Sequence, residues 1–362
     1  MVLKLPPLPQ RKDLVHPLSM DDDELELEAN RLMERIGQKM RWSLDACRTI
    51  APLTLKINRL KKEKDVILIA HTYQTPDIVY GVADAVGDSY TLSKIARDAP
   101  QSTILFSSVR FMAETAKILS PDKTVLHPSP EAGCSLSEGI DADDVRKLRA
   151  LHPGAPVACY INTTAAGKAE CDVCVTSSNY LSIAENLPGD ELIFVPDRLM
   201  GQHLRTHLEG KKTVYLHEAD CEVHAAFNTT SIQRQRREAR KRGIELRVLA
   251  HPECDADVLA ASDFVGSSER ILIEAKRIAS EEEAAVMMIT ECGTAERAMA
   301  ESEKPIELMG TCSMCRHMKK THLEDILQAI ESPRGDQIVE IDDDVIGRAR
   351  DCLNQMFELA ES

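Results

Sequence analysis

The stretch Asp65-Val66-Ile67-Leu68-Ile69-Ala70-His71-Thr72-Tyr73-Gln74 decides the fold. Its apolar run, Val66–Ala70, reads as a strand covered on both faces, and it ends in a polar pair, His71 and Tyr73. Residues at i and i+2 of an extended chain point the same way, so both side chains leave one side of the strand end. The design returns twice. Val157-Ala158-Cys159 runs into Tyr160-Ile161-Asn162, and Leu246–Ala250 ends in His251-Pro252-Glu253. From 71 to 160 is 89 residues, and from 160 to 251 is 91.

A second set follows each pair: Gly87-Asp88-Ser89, Thr176-Ser177-Ser178 and Gly266-Ser267-Ser268. A third closes each unit. Thr124–Leu126 leads to Cys134, Thr213–Leu216 to Cys221, and Ile306–Met309 to Cys312 and Cys315. Three features recur three times in one order at about ninety residues, a length that suits a small domain better than a solenoid unit. Further short runs at Thr103–Phe106, Val173–Thr176, Leu192–Val195, Phe264–Val265 and Val286–Ile289 alternate with longer helix-like segments. The class is therefore α/β. We expect three similar α/β/α sandwich domains with parallel sheets around a pseudo-threefold axis, at residues 53–138, 139–225 and 226–338. A helical extension, 1–52, precedes them and a C-terminal helix, 339–362, follows. Ligands of such sheets bind beyond the carboxyl ends of the strands, so the three sets of strand ends should meet at one central site.

Composition narrows the function. The 362 residues carry a net charge of −15, which disfavours nucleic acid as the main partner. Aromatic residues make up 4% and Trp42 is the only tryptophan, so stacking platforms are not expected. No apolar run approaches the ~18 residues of a membrane span, and Met1–Pro17 lacks the apolar core of a secretory leader. Eleven cysteines, an odd number, point to thiols used for metal or redox chemistry in a reducing, cytoplasmic setting. The basic run Gln233–Arg242 reads as a solvated helix face, and Met287, Met288 and Met309 as core.

One cysteine closes each repeat, so Cys134, Cys221 and Cys315 can meet on the axis. Three thiolates suit a [4Fe–4S] cluster whose fourth iron stays open. Zinc is the alternative, on the pairs Cys171-x-x-Cys174 and Cys312-x-x-Cys315. Cys47, Cys159, Cys292 and Cys352 read as small core residues. An open iron is a Lewis acid able to promote loss of water. Around it the repeat places His71, Tyr73, Tyr160, Asn162, His251 and Glu253, with Glu253 as the carboxylate base and the tyrosines as proton donors or acceptors. Serines 89, 177, 178, 267 and 268 begin helix-like segments, where hydroxyls and free N–H groups make an anion cradle. The substrate should be a small anion.

These residues also carry a family resemblance. Ala70-His71-Thr72-Tyr73-Gln74, Gly87-Asp88-Ser89, Phe111–Lys117, Ala132-Gly133-Cys134-Ser135-Leu136, Tyr160-Ile161-Asn162-Thr163-Thr164, Thr176–Asn179, His251-Pro252-Glu253-Cys254 and Cys315-Arg316-His317-Met318-Lys319 resemble the signatures of quinolinate synthases. Arg110 stands where that family often has His, and Ser268 where Thr is common. The resemblance implies a [4Fe–4S] cluster on Cys134, Cys221 and Cys315. It implies condensation of iminoaspartate with dihydroxyacetone phosphate to quinolinate, with loss of phosphate and two waters, feeding NAD synthesis. The enzyme that supplies iminoaspartate is then a candidate partner. Glu253, Tyr73, Tyr160 and His71 would be catalytic. His71, Ser89, Tyr160, Asn162, Ser177, His251, Glu253 and Ser268 would bind substrate. Cys312 is expected beside Cys315, placed to pair with it on oxidation.

Overall fold

The computed structural model describes residues 20–37, 40 and 42–361; the Pro-rich stretch Met1–Pro17 lies outside them. Three parallel sheets carry the fold. The first contains β1 (Val66–His71), β2 (Ala85–Gly87), β3 (Thr103–Ser107) and β4 (Thr124–Leu126), in the order β2-β1-β3-β4. The second contains β5 (Val157–Tyr160), β6 (Val173–Val175), β7 (Glu191–Val195) and β8 (Thr213–Leu216), in the order β6-β5-β7-β8. The third contains β9 (Glu245–Ala250), β10 (Phe264–Val265) and β11 (Ala284–Ile289), in the order β10-β9-β11. Helices fill the connections, as parallel neighbours require. The strands ending in polar pairs, β1, β5 and β9, therefore hold the same inner place in all three sheets.

A side-chain device repeats with them. Asp84, Asp172 and Asp263 each stand immediately before the edge strand. Their carboxylates accept the N–H of Leu68 at 2.8 Å, Val157 at 2.7 Å and Val248 at 2.7 Å. Their own N–H groups donate to the carbonyls of the same three residues. Each aspartate so fixes the register of a short edge strand against the inner one, and satisfies a donor that the ladder leaves open. The spacing is 88 from Asp84 to Asp172 and 91 to Asp263.

Two expectations need correction. Residues 85–87 form an edge strand that the sequence reading passed over, because three residues between Asp84 and Asp88 give no run to read. Conversely, Ile306–Met309 is not a full strand. It makes one parallel bridge, Leu308 to Val286, with hydrogen bonds from Val286 N to Glu307 O and from Met309 N to Val286 O. Pro305 before it has no N–H for a ladder, and Gly310 after it turns the chain away at φ 95°.

The helices Asp22–Leu32 and Leu44–Glu63 pack on each other, and the second packs on β1, with Ala29, Leu32, Cys47, Ile50 and Ile57 buried, as is Ile36 in the segment Met33–Gly37. Asp21 and Ser43 cap their first turns by accepting from Asp23 N and Ala46 N. Leu27 is 71% exposed, on the face opposite Ala29 and Leu32, so the buried apolar stripe of this helix is narrow. At the other end, the helix Asp343–Glu361 lies against β6 and the helices Arg110–Leu119, Ala165–Lys168 and Tyr180–Asn186. Its buried face, Ile346, Ala349, Cys352, Leu353, Met356 and Phe357, ties the first two sheets' layers together. The basic run lies on the helix Thr229–Lys241, which buries only Ile232 and Ala239; Arg236 pairs with Asp263 at 3.1 Å. No described helix is long and apolar enough to cross a membrane.

Candidate functional site

The carboxyl ends of β1, β5 and β9 open onto one cavity of about 70 Å³. His71, Tyr73, Tyr160, Asn162, His251 and Glu253 all line it. So do Ser89, at the start of the helix Ser89–Asp98, Ser177, in the turn after β6, and Ser268, at the start of the helix Ser268–Glu281. The loops after β4, β8 and the Leu308 bridge bring Cys134, Cys221 and Cys315 to the same walls. Two serines of the expected cradle lie elsewhere. Ser267 caps its helix by accepting from Arg270 N at 3.4 Å, and Ser178 is exposed with its hydroxyl 2.8 Å from that of Thr176. Both fill local capping or turn roles that a helix start demands in any case.

A chain of hydrogen bonds crosses the site. Ser268 Oγ lies 2.6 Å from the Tyr73 hydroxyl, which lies 3.2 Å from Thr290 Oγ1. Thr290 Oγ1 is 3.1 Å from His224 Nε2, and His224 Nδ1 donates to Glu253 Oε2 at 2.7 Å. The Tyr160 hydroxyl donates to Glu253 Oε1 at 2.5 Å. Elements of all three sheets contribute, so the network exists only when they are assembled together.

The two histidine pairs share one backbone trick. Tyr73 N donates to His71 Nδ1 at 3.1 Å, and Glu253 N to His251 Nδ1 at 3.4 Å. Each imidazole must then carry its proton on Nε2 when neutral. Burial, with the positive charges of Lys319 and Arg297, pushes the His71 pKa down to about 3. Burial and the neighbouring His224 push that of His251 down to about 3 as well. Both are neutral donors at physiological pH. Burial would raise the Glu253 pKa. The His224 and His251 rings and the hydrogen bonds from His224 and Tyr160 outweigh it and hold the carboxyl below its usual range. Burial and the Glu253 charge push the Tyr73 and Tyr160 hydroxyls well above theirs. Glu253 is thus an ionised carboxylate set among the neutral donors His71, His251, Tyr73 and Tyr160.

Burial also raises the three lining thiols, that of Cys134 to about 12. A bound metal is what would deprotonate them there. None is disulfide-bonded. His224 Nδ1 lies 3.3 Å from Cys221 Sγ, and Asn162 Nδ2 lies 3.9 Å from Cys134 Sγ. As a donor set, three thiols outside any disulfide, brought to one cavity by three different loops, fit a multi-iron cluster. Among the described residues one other arrangement could hold a single ion: Cys221, His224 and Glu253, whose ligand atoms lie within 4.8 Å of one another.

Sequence reading missed two residues here. His224 is 2% exposed and its ring stacks on His251 at 4.4 Å between centroids. It has no counterpart in the other repeats, so periodicity could not find it, although Cys221-x-x-His224 is a ligand-like spacing. Glu291 is completely buried; it accepts from Cys315 N at 3.1 Å and from Gly293 N at 2.6 Å, and so anchors the Cys315 loop to the helix Cys292–Glu301. Gly293 lets that helix start meet the first sheet, since a Cβ there would sit 2.5 Å from Thr72 O.

Cys312 does not pair with Cys315. It is bonded to Cys292, which had read as a core thiol, with Cα atoms 5.0 Å apart. The parallel bridge between Glu291 and Ser313, with Cys292 N donating to Ser313 O, sets the two cysteines side by side and leaves Cys315 free. The two Cys-x-x-Cys pairs do not form one site either, since Cys312 is occupied and Cys171 and Cys174 lie away from the cavity.

Comparison with known proteins shows the family. A profile described as Quinolinate synthetase A protein matches residues 55–358. A quinolinate synthase of Caulobacter vibrioides is 38% identical over 343 residues, covering 93% of this chain and 89% of that protein. One of Sinorhizobium medicae is 39% identical over 311 residues, covering 86% and 83% respectively. One of Xylella fastidiosa is 37% identical over 303 residues, covering 84% and 86%. The chain belongs to the quinolinate synthetase A protein family.

Proposed function

We propose that this chain is a quinolinate synthase that condenses iminoaspartate with dihydroxyacetone phosphate, releasing phosphate and two waters, in NAD biosynthesis. Cys134, Cys221 and Cys315 would hold a [4Fe–4S] cluster. When bound, the cluster supplies a Lewis-acidic iron with an open position, which polarises oxygen and promotes loss of water. The observation that carries the reading is the Tyr160–Glu253–His224 triad facing three unpaired thiols across one small cavity.

The chain's own groups divide the remaining work. Glu253, ionised and held by two donors, takes a proton from the substrate carbon or nitrogen, and Tyr160 and His224 steady the charge as it shifts. Tyr73 stands at the far end of the relay through Thr290 and returns protons to departing oxygens. His71 and His251, neutral with Nε2–H outward, donate to carboxylate or phosphate oxygens. Ser89, Ser177 and Ser268 add hydroxyl donors near helix starts. Asn162 completes the polar wall beside Cys134. His71, His251 and Glu253 are themselves buried, which strengthens the contacts they make. The repeated sheet order supports units at 53–138, 139–225 and 226–338; the helices Asp22–Leu32 and Asp343–Glu361 support separate segments within 1–52 and 339–362. The cytoplasm, with its reducing potential and small anionic substrates, is the setting that fits free thiols.

The Cys221–His224–Glu253 trio favours a second reading, a single zinc ion acting in hydrolysis. Anaerobic purification with metal analysis and turnover separates the two. About four iron and four sulfide per chain, with quinolinate formed from both substrates, support the synthase. Zinc at that trio with no quinolinate would replace it.

A further inference from the structure

The turn that carries Asn162 into the cavity is held by a group that the proposed reaction leaves unused. Lys168, the fourth residue of the short helix Ala165–Lys168, is completely buried. Its Nζ donates to Ile161 O at 2.8 Å and to Thr163 O, and stands 5.4 Å from the centre of the Phe111 ring. Asn162 lies between those two carbonyls, as the middle residue of a three-residue turn closed by Thr163 N donating to Ile161 O at 2.8 Å. A single backbone hydrogen bond closes that turn, and the ammonium binds the carbonyl at each end of it. Asn162 lines the cavity, and its Oδ1 is buried with no partner among the described residues.

The other two repeats hold the same place differently. Tyr73 N and Glu253 N donate to the Nδ1 atoms of His71 and His251, and Gln74 N and Cys254 N donate to the carbonyls of those histidines at 2.9 and 3.1 Å. In the second repeat Tyr160 stands where the histidines stand, and it has no ring nitrogen to accept. Thr163 reaches the Tyr160 carbonyl through its hydroxyl, at 2.8 Å, and not through its N–H. The residue eight places on completes the contrast: Val79 after His71, Lys168 after Tyr160, Leu259 after His251. Each is the fourth residue of its short helix, Pro76–Gly81, Ala165–Lys168 or Ala256–Ala260, and each is buried. Two repeats use an aliphatic residue there, so the fold does not require a cation at this place. Burying one is costly unless its donors are met, and the carbonyls that meet them belong to the turn around Asn162.

We propose that Lys168 is a positioning residue of the site: its ammonium takes the place of the missing imidazole and fixes the turn so that the Asn162 amide faces the substrate. Lys168 is not among the residues that line the cavity, so it acts through Asn162. The free Oδ1 of Asn162 then accepts from an N–H or O–H of the bound substrate. Without the ammonium, two buried carbonyls lose a charged donor and the turn keeps one backbone hydrogen bond. The role in turnover rests on the synthase reading above; the hold on the turn rests on geometry alone.

Lys168→Met keeps most of the aliphatic stem and removes the charge; Lys168→Leu installs the third repeat's residue. Both are tested in the full-length protein purified without oxygen. Amide hydrogen exchange, read by mass spectrometry, should quicken by at least ~10-fold in peptides covering 160–168. Peptides covering 71–79 and 251–259, whose turns have their own imidazoles, should exchange as in the wild type. Quinolinate formation should lose at least ~10-fold in kcat/KM with iron content unchanged. Added to Asn162→Ala, Lys168→Met should cost far less than it costs the wild type, because its effect passes through that amide. Unchanged exchange at 160–168 would overturn the proposal, as would faster exchange at all three turns. Full additivity with Asn162→Ala, or failure of both variants to fold, would show that Lys168 serves the fold and not Asn162. A wild type that makes no quinolinate would overturn the synthase reading instead, and the exchange comparison would still decide whether Lys168 holds the turn.

Discussion

Glu253 has no freedom to be a bystander: it is buried and both its oxygens are engaged, by Tyr160 at 2.5 Å and His224 at 2.7 Å. Glu253→Gln keeps the size and most hydrogen bonds but removes the base. Turnover should fall by at least ~10²-fold with iron content unchanged. Near-normal turnover would shift the proton work to Tyr73. His71 gives a second expectation at this scale. Its folded pKa of about 3 lies below the ordinary histidine value, so in the window between them the unfolded chain takes up a proton that the folded chain refuses. Its contribution is intact above that ordinary value of ~6.5 and falls as pH drops toward 3, by about 1.4 kcal/mol per pH unit. His71→Gln should flatten that part of the wild type's acid sensitivity, read as urea midpoints at pH 7 and 5. An unchanged slope would mean that the imidazole is protonated in the folded protein. At this scale the sequence showed whatever repeats. His71, Tyr160 and His251 stand in register, whereas His224 and Glu291 act once each and leave no periodic trace.

Elements hold these residues through backbone chemistry that composition hides. The aspartates at 84, 172 and 263 are repeated, yet each is exposed enough to look like an ordinary turn residue. Their significance lies in one backbone N–H apiece. Asp263→Ala leaves Val248 N without its acceptor and should cost about 1–3 kcal/mol, seen as a lower denaturation midpoint. No change would mean that solvent replaces the carboxylate. Strand lengths explain which elements could be read. β1 and β9 have six residues each and stand out as apolar runs, while β2 has three and is set by Asp84 and the pairing with β1. Ile306–Met309 carries the composition of a strand, but Pro305 and Gly310 leave it a single bridge.

The molecule as a whole works by bringing three similar strand ends together, and neither the repeat nor the C-terminal helix does that alone. Leu353, completely buried on that helix, packs in the core shared by the first two sheets. Leu353→Ala should cost about 2–5 kcal/mol and lower the midpoint of the whole chain in one cooperative step. A separate early transition would show that the helix is an independent appendage. The ninety-residue period announced three units and one centre. It said nothing of how Cys292 and Cys312 pair, because that contact joins segments that the repeat does not relate. The central claim is that one thiol from each unit serves one cluster. Iron and sulfide should therefore be measured in Cys134→Ala, Cys221→Ala, Cys315→Ala and Cys47→Ala, all purified without oxygen. The account predicts that the first three lose the cluster and that Cys47→Ala keeps about four iron and four sulfide. Full iron in any of the first three, or its loss from Cys47→Ala alone, would contradict it.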